Sequence, residues 1–174
     1  LARIARDAGY QAICMRAAFV GVEDPKEKAA EVRKELDRLG LEVSMVTGDF
    51  AVPENREAGP GCLRNITPHL DLAKTLRSDL IRICMKEEAD IGFAQKASDE
   101  ARERGIRLAH QSHTRSLFET VQGSLEVLAQ VGRSNFGIIY EPANLALCLE
   151  DYGPAALKAF EPYLVNVYLQ NHVP

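Results

Sequence analysis

Among the carboxylates of this chain, Glu141 has the setting most suggestive of chemistry, because it directly follows the apolar run GIIY at residues 137–140. A carboxylate at the end of a buried strand is costly unless a metal, a cation or hydrogen bonds compensate it. Such a group can carry a proton or ligate a metal. The competing structural reading is a buried ion pair with Arg16, Arg82 or Lys86. A second cluster, HQSH at residues 110–113, ends the run IRLA. Strand alternation puts Gln111 and His113 on one side and His110 and Ser112 on the other, so one histidine is expected to face a site there. Gln111 can hydrogen-bond a hydroxyl or ligate weakly through oxygen, but it cannot act as a general base. A third cluster sets the phenol of Tyr168, the amide of Gln170 and the imidazole of His172 at one parity. Its plainer reading is a hydrogen-bonded lining layer.

Groups so far apart in sequence need a scaffold that gathers them. Short apolar runs alternate with longer amphipathic stretches, the pattern of a parallel sheet with crossover helices. Strands are expected at residues 10–16 (YQAICMR), 41–47 (LEVSMVT), 80–86 (LIRICMK), 106–111 (IRLAHQ), 136–141 (FGIIYE) and 164–170 (LVNVYLQ). Helices are expected at 1–8, 25–39, 63–76, 91–104, 117–131 and 154–160. Asp24 precedes Pro25 as a capping carboxylate, and Gly40 follows Leu39 as a helix stop. The order helix, glycine, apolar strand recurs at Gly9, Gly40 and Gly105.

An α/β barrel and an open doubly wound sheet are both built from such units. No GxGxxG follows the first strand. Polar rows at one strand parity favour the barrel, whose interior is polar near its mouth. Arg82, Cys84 and Lys86 oppose Ile81, Ile83 and Met85, and Asn166, Tyr168, Gln170 and His172 oppose Val165, Val167 and Leu169. An open sheet buried on both faces would seldom tolerate these rows. In a barrel the functional groups stand at the C-terminal strand ends. Those ends carry Arg16, Asp49, Lys86, Gln111 with His113, Glu141 with Asn144, and Tyr168 with Gln170 and His172, a set suited to a polyhydroxyl ligand or a metal. Glu141 and Lys86 are the candidates for chemistry; Arg16, His113, Asn144, Tyr168 and Gln170 are the candidates for substrate binding. The irregular stretch DFAVPENREAGPGC, residues 49–62, follows a strand end and reads equally as a substrate-covering loop or a surface excursion.

Composition narrows the partners. The 174 residues suit one domain, residues 1–174, and the net charge of −4 is spread among interspersed acids and bases. No basic footprint for nucleic acid is present. No apolar run approaches the roughly 18 residues of a membrane span, and no secretion leader is evident. A cytoplasmic location is expected. Cys14, Cys62, Cys84 and Cys148 form no CxxC pair, and Cys14 and Cys84 read as buried small hydrophobes. The opening at Leu1 inside a helical pattern, and the end at Pro174 just after a strand, suggest a fragment of a longer protein.

The segment FGIIYEPANLALCLEDYG, with GIRLAHQSH upstream and LVNVYLQNH downstream, resembles the xylose-isomerase-like barrel superfamily of sugar isomerases and epimerases. Its most specific piece is YEPAN with the following EDYG. The resemblance implies a (β/α)8 TIM barrel, of which this chain covers roughly strands two to seven. Members generally hold a divalent metal with a glutamate from strand five, an aspartate from strand six, a histidine from strand seven and a glutamate from strand eight. By position these fall on Gln111, Glu141 and Tyr168, with the eighth-strand residue outside the chain. The resemblance therefore implies Glu141, Gln111 and His172, or His113, as the ligands here for Mn, Mg or Zn. It implies a sugar or polyol-ketone isomerase or epimerase that moves a proton between adjacent carbons. The alternatives are an inosose-dehydratase-like lyase and a non-catalytic sugar-binding relative with a degraded metal site, as Gln111 and Tyr168 suggest. The superfamily's abasic-DNA endonuclease needs a histidine-rich site and a basic surface, which four histidines and a negative net charge argue against. The expected partner is a small sugar or polyol, with neither nucleic acid nor membrane; a homo-oligomer is left open.

Overall fold

The structure is a computed structural model that describes residues 1–49 and 60–170. Six strands form one sheet: β1 (Ala12–Met15), β2 (Glu42–Thr47), β3 (Leu80–Ile83), β4 (Arg107–Gln111), β5 (Phe136–Tyr140) and β6 (Leu164–Val167). All neighbours are parallel and the spatial order is the chain order, β1 to β6. Each connection thus steps one strand in the same direction, as in a barrel, whereas a doubly wound sheet reverses its strand order.

The sheet curls. Asn166 of β6 places its amide nitrogen 3.9 Å from the sulfur of Met45 on β2, although three strands lie between them in the sheet. Met45, Leu80, Ala109 and Ile139 form an inner cluster, joined by Cys14, Val165 and Tyr168. Every strand contributes to it. The opposite face carries Val43, Val46, Ile81, Ile83, Leu108 and Ile138 into a larger outer core with the helices. Arg82 shares the parity of inward Leu80, as the polar-row argument expects. Val165 was expected on the helix-facing row and instead joins the inner cluster. The β5–β6 register shifts between Ile138 and Ile139, which accounts for the change of side.

Eight α-helices are described: α1 (Ala2–Asp7), α2 (Lys26–Leu39), α3 (Gly61–Arg64), α4 (Thr67–Leu76), α5 (Ala89–Glu103), α6 (Val121–Val131), α7 (Pro142–Leu147) and α8 (Pro154–Phe160). The helix expected over 63–76 is two helices, because Asn65 leaves the helical conformation (φ −147°, ψ 81°) and Pro68 sits in the first turn of α4, where its missing N–H costs nothing. The helix expected from 117 starts at Val121, since the Thr120 hydroxyl accepts the Gly123 N–H and sets the boundary. Asp24 does not cap α2. Its carboxylate accepts from the Gly21 N–H and the Lys28 ammonium. Gly40 adopts φ 67° after α2, the left-handed turn expected of a glycine stop. Among the described residues no helix is long and apolar enough to cross a membrane.

Candidate functional site

The site is built on the last residues of β3, β4 and β5. Arg82 donates from Nη1 to the amide oxygen of Gln111 at 2.6 Å. The Gln111 nitrogen donates in turn to Oε2 of Glu141. Asn144 donates to the same oxygen. Pro142 starts α7 immediately after Glu141, which places Asn144 three residues on, one helical turn from the carboxylate it holds. Glu141 is fully buried, and its other oxygen, Oε1, has no partner among the described residues. The buried ion pair considered for it is not formed: among the described residues, Glu141, Arg16 and Arg82 make no salt bridge.

Charge fixes the orientation of Gln111. Reversing its amide would set NH2 against a guanidinium and oxygen against a carboxylate, two repulsive contacts in place of two hydrogen bonds.

A cavity of about 180 Å³ opens beside this chain of bonds. Arg16, Gln111, His113, Asn144, Tyr168 and Gln170, all anticipated as site residues, line it. Lys86 is not among its lining residues; its backbone N–H caps against Asp90 at 2.7 Å. Glu141 stands behind Gln111 and Asn144 rather than on the cavity surface. His172 lies outside the described residues. Both histidines of HQSH border the cavity, where alternation expected one. His110 is buried and stacked on Phe118 with ring centroids 4.1 Å apart, and burial pushes its pKa down to about 3. It is a neutral packing group there, whereas His113 is only half-buried.

Five lining residues, Asp49, Arg82, Ile83, Cys84 and His110, stand outside the residues expected to do chemistry or bind substrate. Arg82 appeared in sequence only as a partner for Glu141, although its place in the polar row of its strand pointed inward. Asp49 was visible as a strand-end acid. Its Oδ1 accepts the Cys62 N–H at 2.9 Å and its Oδ2 has no partner among the described residues. Burial raises its pKa, tempered by the Cys62 and Cys84 N–H groups and by Arg82. Cys84 is pushed up to about 12, first by burial and then by Asp49, so it is an inert thiol.

The described residues do not fit a divalent ion. Among them no group of three histidine, cysteine, aspartate or glutamate side chains converges. Gln111 turns its oxygen to Arg82 and its N–H to Glu141, and Asn144 also presents N–H, so Glu141 faces donors where a metal needs acceptors.

No protein-family model matches the sequence, and no curated protein matches it. Solved structures do match. A xylose isomerase-like TIM barrel protein from Mycobacterium smegmatis, in complex with magnesium, superposes with a TM-score of 0.79 at 17% identity, over 98% of this chain and 65% of that one. The probable 3-DHS dehydratase AsbF of Bacillus anthracis gives 0.76 at 14% identity, over 95% and 65%. D-psicose 3-epimerase in the presence of D-fructose gives 0.75 at 14% identity, over 97% and 65%. The chain spans about two-thirds of the length of these proteins. At such identities the likeness shows the fold alone: the six strands form the greater part of a TIM barrel.

Proposed function

We propose that this chain forms most of a sugar or polyol-ketone isomerase or epimerase that moves a proton between adjacent carbons. The observation that carries this reading is the buried carboxylate of Glu141, held by two amides on one oxygen and, among the described residues, unpartnered on the other, directly behind a polar cavity at the strand ends. A buried carboxylate without a counter-charge is costly, which is expected where chemistry needs it. In support, the sugar epimerase named above shares the fold.

The residues divide the work as follows. Hydroxyls of the substrate bond to Asn144, Tyr168, Gln170 and His113, and the carbonyl oxygen points to Arg16 and Arg82. Oε1 of Glu141 takes the proton from the carbon beside the carbonyl. The C–H electron pair becomes the C=C bond of an enediolate, whose oxygen gains the negative charge that the guanidinium groups stabilise. Return of the proton to the former carbonyl carbon, while the hydroxyl proton of the enediolate passes to the oxygen on that carbon, isomerises the substrate; protonation of the first carbon from its opposite face by water, with Glu141 giving its proton back to solvent, epimerises it. Reaching Glu141 requires Gln111 or Asn144 to yield on binding, and the rest of the barrel completes the enclosure.

The full burial of Glu141 favours a second reading, a relative that binds sugars without transforming them. Incubating the full-length protein with ketohexoses in deuterated water separates the two. Exchange of deuterium into the carbon beside the carbonyl, lost in Glu141→Gln, supports the enzyme. Saturable sugar binding without exchange overturns it in favour of the binder.

A further inference from the structure

Arg16, just after β1, and Arg82, on β3, line the same cavity, and neither is neutralised by a salt bridge among the described residues. Arg82 is half-buried, and its hydrogen bonding among those residues is through Nη1 to a neutral amide. A guanidinium carries five N–H donors and keeps its charge in proteins, so most of its capacity is unspent. The one acid among its described lining residues, Asp49, holds the Cys62 N–H through Oδ1 and, among those residues, forms no salt bridge with either arginine, although the charge of Arg82 reaches it. Burial disfavours the charged form of Arg82, and the neighbouring charge of Arg16 disfavours it further. Two guanidinium groups that face one cavity and have no carboxylate partner among the described residues are stabilised most by a planar or tetrahedral oxyanion, which each can grip through two parallel N–H bonds.

We propose that the cavity binds an anionic sugar, with the carboxylate or phosphate of the ligand held between Arg16 and Arg82. The proposal rests on the sugar-site reading above and specifies the substrate class for it. The neutral side of the cavity, Gln111, Asn144, Tyr168 and Gln170, then meets the hydroxyls, and the positive charge that a metal would bring to the site is supplied by the arginines.

Calorimetric titration of the full-length protein with a hexuronate, a ketohexose phosphate, neutral D-fructose and inorganic phosphate tests it. One charged sugar is expected to bind at least about tenfold more tightly than fructose, and the stronger of the two identifies the anion as carboxylate or phosphate. That preference should largely vanish in Arg82→Met and in Arg16→Met and persist in part in Arg82→Lys. Arg16 is exposed, so its variant keeps the test intact if Arg82→Met does not fold. Fructose binding as tightly as both charged sugars, or a preference that survives both methionine variants, overturns the proposal while leaving an isomerase for neutral sugars standing. Inorganic phosphate binding as tightly as the sugar phosphate, with no preference for the hexuronate, marks an adventitious ion only and also overturns it. Absence of binding by any sugar overturns the isomerase reading with it.

Discussion

Arg82 and Glu141 are joined through a single side chain, the amide of Gln111, which accepts from the guanidinium and donates to the carboxylate. Opposite charges on β3 and after β5 are thereby linked without an ion pair. The strand between them contributes a neutral dipole whose direction both charges enforce. This leaves Arg82 with donors to spare and Glu141 with a free oxygen, the two properties on which the proposed chemistry depends.

Gln111→Glu should break this arrangement. A carboxylate at 111 can pair with Arg82 but meets Glu141 at hydrogen-bond distance, and two carboxylates so close cannot both ionise easily. The shared pKa of the pair rises above the unfolded carboxylate value. The folded state then binds a proton that the unfolded chain releases, so stability increases as pH falls toward that unfolded value. Chemical denaturation should show a loss of about 1–3 kcal/mol at pH 8 that shrinks by pH 5. An unchanged midpoint at both pH values would show that the Gln111 bond to Glu141 is unimportant.

Glu141→Gln tests chemistry with little disturbance of packing. The new side chain can keep its oxygen under the two amide donors and place NH2 where Oε1 has no partner. The melting temperature should move by only a few degrees while proton exchange falls at least about 100-fold, the scale of a lost general base. Loss of folding together with activity would reassign Glu141 to a structural role.

Much of this was readable from sequence, for physical reasons. Strands buried on both faces give apolar runs, and helices closed by Gly40 or Gly105 announce the next strand, so all six strands lie where the pattern put them, within a few residues at the ends. Arg16, Asp49, Gln111, His113, Asn144, Tyr168 and Gln170 border the cavity from strand ends, as that rule placed them, whereas Lys86 does not. The short helix α7 did not, because six residues carry too little periodicity to separate PANLAL from the strand before it. Arg82 was missed as a site residue because it lies within β3, and only the curl of the sheet shows which charges it fails to meet. The orientation of Gln111 depends on its two neighbours in space, which no linear pattern records.

The buried histidines make stability sensitive to acid. Burial holds His110 at about 3 and His69 at about 4, whereas both titrate near 6.5 when unfolded. Between pH 6.5 and these depressed values the unfolded chain takes up protons that the folded one refuses, so stability is full above 6.5 and declines as pH falls through that window. Each should cost on the order of 1–3 kcal/mol by pH 4.5. His110→Phe removes one of the two titrations and keeps a ring against Phe118. The drop in melting temperature from pH 7.5 to pH 4.5 should be smaller in that variant. An equal drop would show that His110 protonates freely in the folded protein.

The segment FGIIYEPAN also owes its geometry to a residue with no side chain. A methyl group on Gly137 would collide with Val165 and with the backbone oxygen of Tyr163, since β6 crosses close to β5 at this point. The obstacle includes main chain, so it cannot be relieved by a rotamer change. Gly137→Ala should destabilise by about 1–3 kcal/mol through overpacking. At exposed Gly92 within α5 a methyl group meets nothing within 4 Å, and the same substitution should stabilise by about 0.5–1 kcal/mol through helix propensity. Paired denaturation curves give the comparison its force, because the two variants differ only in position. If both shift in the same direction, the close approach of β6 to β5 is not what excludes a side chain at 137.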